Sequence, residues 1–430
     1  MAVQHHLSRR AFLGSVGLFA TSLPLIAGEG ERRTPNVVMM VGDDMHWSDF
    51  GFMGHKVIQT PRLDRLAREG AVFPNAYVPT SLCRASLATL LTGLYPHQHR
   101  ICCNDPPTGV DRTEMHPFIR NSPTIPRLLR DVKYDSLQTG KFWEGSFQNA
   151  GFTHGQTTNA DRHIAIKTPQ IGRATMEPIT DFIDKHERSP FFIWYAPMMP
   201  HRPHNPPERF LKRYNVDGRD LNIARYMGMC EWFDETCGQL LDHLDKRKLA
   251  ENTLVVFCID NGWITPTVEE DKKSPFGADR GKRSPYDGGI RTPFILRWPN
   301  QTRAGRYSDL VLTIDFAPTI LRACNVKVPD AMQGLDLMQP ASGRGRLKRD
   351  AVFGEIYTHT STNLKMPQLD VTHRWVREGD WKLIVHLTDK KQIELFNLAN
   401  DANERTNLAE KQPDRVRGLQ RLLDRWVANR

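Results

Sequence analysis

The chain lacks any C-x-x-C pair, and its seven cysteines, an odd number, are scattered from Cys83 to Cys324. This spacing argues against a zinc knuckle, and the density falls far below that of a disulfide scaffold. An odd cysteine invites a special role for one of them. There is no long Lys/Arg run, although the formal net charge is +9. A basic excess spread in this way suits an anionic ligand and does not indicate nucleic acid as a partner. Low-complexity tracts and solenoid-length repeats are missing too. The N-terminal apolar run, Ala11 to Ala27, is interrupted by Gly, Ser and Pro, so it is too short and too weakly apolar for a stable membrane span. With 39% hydrophobic and 25% charged residues among 430, the chain reads as a folded globular protein with one large domain, or a large and a small one.

What is present at the N-terminus is "SRRAFLG", Ser8 to Gly14, with paired arginines directly ahead of that run. It reads as a twin-arginine export signal occupying residues 1–28, cleaved near Ala27 or Gly28. The expected partner is the twin-arginine translocation machinery, and the expected location is periplasmic or secreted. That route carries folded proteins, so a modification or metal loading can precede export.

Apolar runs beginning at Asn36 ("NVVMMVGDD"), Phe191 ("FFIWYAPMMPH") and Thr253 ("TLVVFCIDNG") read as buried strands ending in polar residues. Helical patterns lie between them, at Thr60–Gly70 with Pro at the first turn, and at Arg225–Leu249. Strands alternating with helices predict an α/β fold with a large sheet covered by helices on both faces. Ligands of such sheets bind beyond the carboxyl ends of the strands, which is where Asp43, Asp44, His201, Asp260 and Asn261 fall. Past residue 310 the texture changes. "LVLTIDFAPTILRACNV" still predicts strand then helix, whereas His373–Leu387 alternates and an amphipathic helix starts near Asp414. We therefore expect a catalytic α/β domain over 34–310. Residues 311–430 would hold a remaining sheet element and a smaller antiparallel sheet with a covering helix.

Asp43-Asp44 and Asp260-Asn261 each follow a strand. Singly, such a pair is an ordinary helix cap or turn. Together, four oxygen donors at one sheet edge suit a hard divalent cation such as Ca²⁺ or Mg²⁺. Lys141, His201 and Lys282 lie in Gly- or Pro-punctuated loops, where a rigid sheet collects ligand-contacting residues. Their spacing alone does not separate them from solvated surface groups.

The order of these pieces resembles the formylglycine-dependent sulfatases of the alkaline phosphatase superfamily. The resemblance runs from "PNVVMMVGDD" to "LFNLANDANERTNLA". It is carried by Asp-Asp after the first strand, "TGLYPHQH", "TGK", "PHRP", "DNG" and the K-x-x-x-Y-D-G-G-x-R-x-P stretch from Lys282 to Pro293. It implies an alkaline-phosphatase-like mixed, mostly parallel sheet. Cys83, ten residues before Gly93, would be oxidised to formylglycine by a maturation enzyme. One hydroxyl of the hydrated aldehyde would attack sulfur, and the second would release sulfate by elimination. Asp43, Asp44, Asp260 and Asn261, with the residue at 83, would hold Ca²⁺, or Mg²⁺. Lys141, His201 and Lys282 would neutralise the sulfate oxygens, and His201 or Lys282 would protonate the leaving oxygen.

Two departures from the family pattern stand out. In Cys-x-Pro-Ser-Arg, Ala85 replaces the proline and Leu87 the arginine; Arg84 is the nearby candidate for the lost positive charge. After Lys141, Trp143 occupies the usual histidine position, and His154 is the candidate replacement as elimination base. The expected activity is sulfate-ester hydrolysis on a sulfated small molecule or polysaccharide. The alternatives are a phosphodiester or phosphonate monoester hydrolase, or a non-catalytic binder of sulfated glycans in which Cys83 stays a thiol.

Overall fold

The run Asn36–Gly42 forms β1 and is buried at every position. Its alternate side chains enter two different cores: Val37, Met39 and Val41 on one face, Val38 and Met40 on the other. A strand covered on both faces needs no polar side, which is why its sequence is apolar without alternation. These features belong to a computed structural model that describes residues 1–2, 34–158, 171–263, 280–388 and 392–430. The twin-arginine stretch and its expected cleavage point lie outside the described residues. Thr34–Arg430 makes one compact unit.

The large sheet continues with β2 (Ala71–Tyr77), β3 (Asp135–Gly140), β4 (His154–Gly155), β5 (Phe191–Ala196), β6 (Thr253–Ile259), β7 (Arg291–Arg297), β8 (Gly305–Arg306) and β9 (Val311–Leu312). Its strand order is β4-β3-β5-β1-β6-β7-β2-β8, with β9 also on β2. Only β7 runs against the others, pairing antiparallel with β6 and β2. The sheet is therefore mixed and mostly parallel, as expected. Helix Cys83–Thr92 packs on one face and helix Leu221–Lys246 on the other. The latter begins four residues before the apolar periodicity predicts, because Asp220 accepts from the amides of Asn222 and Ile223 and caps it there.

A second, antiparallel sheet follows: β10 (Ala351–Tyr357), β11 (Val371–Glu378), β12 (Trp381–His386) and β13 (Ile393–Asn397) in sequential order. Helix Pro413–Ala428 covers one face through Leu419 and Leu423, against Val376, Leu383 and Leu395. The other face meets the large sheet, where Trp375 and Ile384 share a core with Tyr77 and Leu312. Lys382 of β12 is fully buried, at 2.9 Å from Asp287 and 2.8 Å from Glu404. This ion triad fastens the small sheet to the loop that precedes β7. All seven cysteines are buried free thiols, and among the described residues no helix is long and apolar enough to cross a membrane.

Candidate active site

Six neighbouring strands deliver the polar residues to one edge. Across the sheet, β3 ends at Lys141, β5 leads to His201, β1 to Asp43-Asp44, and β6 to Asp260-Asn261. Because β7 is reversed, the loop before it, with Lys282, lies at that same edge. Strand β2 runs with β1, so the segment after it brings Cys83 there as well. The chain can turn this sharply only at particular residues. Gly140 has φ +74°, and a Cβ there would lie 2.1 Å from the carbonyl oxygen of Ala196. Lys141 N–H donates to that same carbonyl, at 2.6 Å, which starts the Lys141 loop directly over β5.

Cys83 is the first residue of its helix and 1% exposed. Its Sγ lies 2.7 Å from Lys282 Nζ and 3.7 Å from Asp44 Oδ1. Ser81 fixes this approach, accepting from Arg283 N–H at 2.9 Å and donating to Gly289 O at 2.9 Å. Lys282 also donates to Asp44 Oδ1, as does Asn261 Nδ2 at 2.7 Å. Lys141 Nζ is 2.5 Å from Asp43 Oδ1 and 3.5 Å from Asp260 Oδ2. His201 Nδ1 bonds its neighbour's carbonyl, Arg202 O, at 2.8 Å, and Nε2 stands 3.6 Å from Asp44 Oδ2.

The electrostatics follow from burying three carboxylates together. Burial pushes Asp43 up to about 6, with Lys141 opposing, and pushes Asp260 up to about 7, with Asp43 adding to it. Burial acts on Asp44 in the same direction, yet Lys282, His201 and Lys141 outweigh it and hold its carboxyl below the usual range. Burial pushes His201 down to about 4 against the pull of Asp44. The Cys83 thiol is driven up by burial despite Lys141 and Lys282, so an unmodified Cys83 stays protonated and is a poor nucleophile.

Ligand atoms of Asp43, Asp44, Cys83 and Asp260 all lie within 4.8 Å of one another. Among the described residues, Asp43 Oδ2 and Asn261 Oδ1 are buried acceptors with no hydrogen-bond partner. Buried acceptors without donors cost about 1–3 kcal/mol each. A cation among these oxygens would satisfy both and offset the carboxylate repulsion. The donor set fits a hard, oxygen-seeking divalent ion.

Two expected site residues are not brought to this cluster. Arg84 turns away: its Nε and Nη2 hold Glu144 at 2.7 and 2.8 Å, and its other donors reach the carbonyls of Cys103 and Met115. It does not supply charge at the reacting position. The reason is helical: residue 84 leaves the helix in a direction well away from that of residue 83. His154 starts β4 and lies opposite Leu137, within β3 rather than beyond its end. Its ring packs on Phe182 and His186, at 5.4 and 5.3 Å between centroids. An edge-strand side chain held there cannot serve as base at Cys83. Trp143 is buried beside Lys141, whose Nζ lies 5.8 Å from the indole, while Leu87 packs in the apolar core beneath Cys83. The cation at Cys83 comes instead from Lys282.

Sequence reasoning missed the residues that position these groups. Glu144 lies in the "GKFWEG" loop and Asp287 in the Y-D-G-G stretch, so both sat inside motifs already singled out. Lys382 carried no signal, since a lysine in an alternating strand reads as solvated.

A family model described as "Sulfatase" matches residues 35–326, and one described as "N-sulphoglucosamine sulphohydrolase, C-terminal" matches 279–426. N-acetylgalactosamine-6-sulfatase of Mus musculus is 29% identical over 419 residues, covering 86% of this chain and 78% of its own. N-acetylglucosamine-6-O-sulfatase of Bacteroides thetaiotaomicron is 24% identical over 494 residues, covering 89% and 84%. Among solved structures, BT4656 in complex with its substrate D-glucosamine-2-N,6-O-disulfate superposes with TM-score 0.73 at 20% identity, covering 91% of this chain and 97% of that one. That likeness shows the shared fold. The match over most of the chain makes it a member of the sulfatase family, the formylglycine-dependent sulfuric ester hydrolases of the alkaline phosphatase superfamily.

Proposed function

We propose that this enzyme is exported by the twin-arginine route and hydrolyses sulfate esters on glycosaminoglycan-type carbohydrates, with Cys83 converted to formylglycine. The observation that carries the reading is the meeting of Cys83, Lys282 and Asp44 at a buried edge with two unsatisfied acceptors. The protonated state that burial imposes on Cys83 supports conversion rather than thiolate chemistry. Formylglycine hydrate supplies two hydroxyls on one carbon, one for attack on sulfur and one for release by elimination. Asp43, Asp44, Asp260 and Asn261 would hold Ca²⁺ or Mg²⁺, which supplies a Lewis acid for the attacking oxygen and a sulfate oxygen.

The chain's own residues do the remaining work. Lys141 and Lys282 stay charged because the buried carboxylates outweigh their desolvation, and they neutralise sulfate oxygens as charge shifts to them. His201, with Nδ1–H committed to Arg202 O, turns Nε2 to the site. An anionic sulfate there raises its proton affinity, which makes it the group able to protonate the leaving alcohol. In this reading residues 34–310 carry the reacting groups, while 311–430 complete the sheet and brace the Lys282 loop through Lys382. The relatives named for 6-sulfated amino sugars support substrates of that kind.

Peptide mass spectrometry of the Cys83 segment, isolated from the native host, tests the mechanism. Formylglycine in proportion to activity is expected; an intact thiol throughout active preparations overturns it. Side-by-side turnover of an aryl sulfate, an aryl phosphodiester and a 6-sulfated hexosamine oligosaccharide tests the substrate class. Faster phosphodiester turnover would place the enzyme with the other hydrolases of the superfamily.

A further inference from the structure

Outside the active site, residues from three separate elements converge at the edge of the large sheet. Asp135 opens β3, His154 opens β4, and His186 ends the helix Glu177–His186. One ligand atom from each lies within 4.8 Å of the others, and His186 Nε2 stands 3.7 Å from Asp135 Oδ2. Asp135 and His186 are partly exposed and His154 is exposed, so the cluster is open to ions from solution. It lies at the start of β3, roughly 20 Å along the chain direction of that strand from Lys141.

The hydrogen bonds around the two rings decide which nitrogen can ligate. His186 Nδ1 lies 2.8 Å from the carbonyl oxygen of Phe182, an acceptor only, so Nδ1 bears the hydrogen. Thr153 Oγ1 donates its single proton to Ser136 O at 2.9 Å and accepts from Ser136 N–H. Its contact with His154 Nδ1, at 2.9 Å, must therefore be a bond donated by the ring. In each neutral imidazole this leaves the lone pair on Nε2. Protein groups that fix the far nitrogen in this manner are the usual support of metal-bound histidines.

We propose that His154, His186 and Asp135 form a second metal site, selective for a borderline divalent ion of the zinc class. Two imidazoles and one carboxylate favour Zn²⁺ over the hard ions suited to the oxygen-rich cluster at Cys83. Three protein ligands leave a coordination position for water on the solvent side. The ion clamps the two-residue edge strand β4 to β3 and to the helix behind it, closing an edge that Ser136 and Thr153 already reinforce.

The test uses the full chain in excess Ca²⁺, which occupies the oxygen-rich site. Zinc content after dialysis against Zn²⁺ is compared between wild type, His186→Ala and the double variant His154→Ala/His186→Ala. One more equivalent in wild type than in the double variant, with a raised melting temperature on zinc addition, is the expected result. Equal zinc content in both overturns the proposal. Co²⁺ titration of the wild type reads the same site without any variant. Visible ligand-field absorption of a low-coordinate imidazole site that Zn²⁺ abolishes is expected, and a spectrum matching aquated Co²⁺ overturns it. Thr153→Val removes the acceptor behind His154 together with the two hydroxyl bonds to Ser136, and is expected to weaken zinc binding about 10- to 100-fold, with Thr153→Ser close to wild type; unchanged affinity in Thr153→Val would show that His154 is not a ligand.

Discussion

Arg84 and Glu144 form a two-point ion pair at 2.7 and 2.8 Å, with both side chains almost fully buried. It joins the first turn of the Cys83 helix to the loop that begins with Lys141, so one pair sets the spacing between those two groups. Removing one partner strands a charge in a dry site. Arg84→Met is expected to destabilise by about 3–5 kcal/mol, and Arg84→Met/Glu144→Met by less than that single change. Denaturant unfolding of wild type and the two variants measures this; a double variant less stable than Arg84→Met contradicts it.

Asp234, on helix Leu221–Lys246, accepts from the amides of Arg62 and Leu63 at 3.0 and 2.7 Å. These are orphan donors at the start of helix Pro61–Glu69, capped from another helix. Asp234→Ala is expected to cost about 1–2 kcal/mol in urea unfolding, with little change in KM.

His99 gives a pH signature. Its Nδ1 accepts from Ile101 N–H at 3.0 Å and Nε2 faces Thr89 Oγ1 at 3.1 Å. Burial, with Arg84 nearby, pushes it down to about 3. The folded state keeps it neutral, while the unfolded chain takes a proton near pH 6.5. Its contribution is therefore intact above pH 6.5 and is lost as pH falls from there toward 3, about 2 kcal/mol by pH 5. Melting curves of His99→Gln are expected to show a flatter loss of stability between pH 7.5 and 5 than wild type.

Chelation would remove the counter-charge that the proposed divalent ion gives Asp43, Asp44 and Asp260. Sulfatase activity should vanish with chelator and return with Ca²⁺ or Mg²⁺. Asp260→Asn should lower metal affinity as read by titration calorimetry, independent of turnover.

Lys282→Ala removes the ammonium 2.7 Å from Cys83 Sγ. A fall in kcat of about 10²- to 10³-fold is expected, with a smaller change in KM, because the charge acts mainly where negative charge develops. An equal rise in KM with kcat unchanged would assign Lys282 to substrate binding alone.

Much of the architecture was legible because buried parallel strands are apolar throughout and stop at polar residues. Asn36–Gly42, Phe191–Ala196 and Thr253–Ile259 announce themselves in this way. Strands β3, β7, β4 and β8 did not, since their pairing comes from neighbours rather than from their own composition, whereas the short β9 and the helix after it follow "LVLTIDFAPTILRACNV" as expected. The Arg84 and His154 expectations failed for a related reason. A residue's number says how far along the chain it lies, whereas the helix phase and the strand register decide where its side chain goes.

Local chemistry written along the chain, such as Asp-Asp after a strand, Cys83 ten residues before Gly93, or Lys282 opening its loop, carries the resemblance to the sulfatases, because covalent spacing at a turn or helix start survives folding; that resemblance, not the spacing alone, implies the reaction. Which cation faces Cys83, which acid locks Arg84 and how Asp135, His154 and His186 meet were settled only by tertiary structure. Those relationships join residues tens to hundreds of positions apart, and the energy that selects them is burial and pairing of charge between separate elements, which no local pattern encodes.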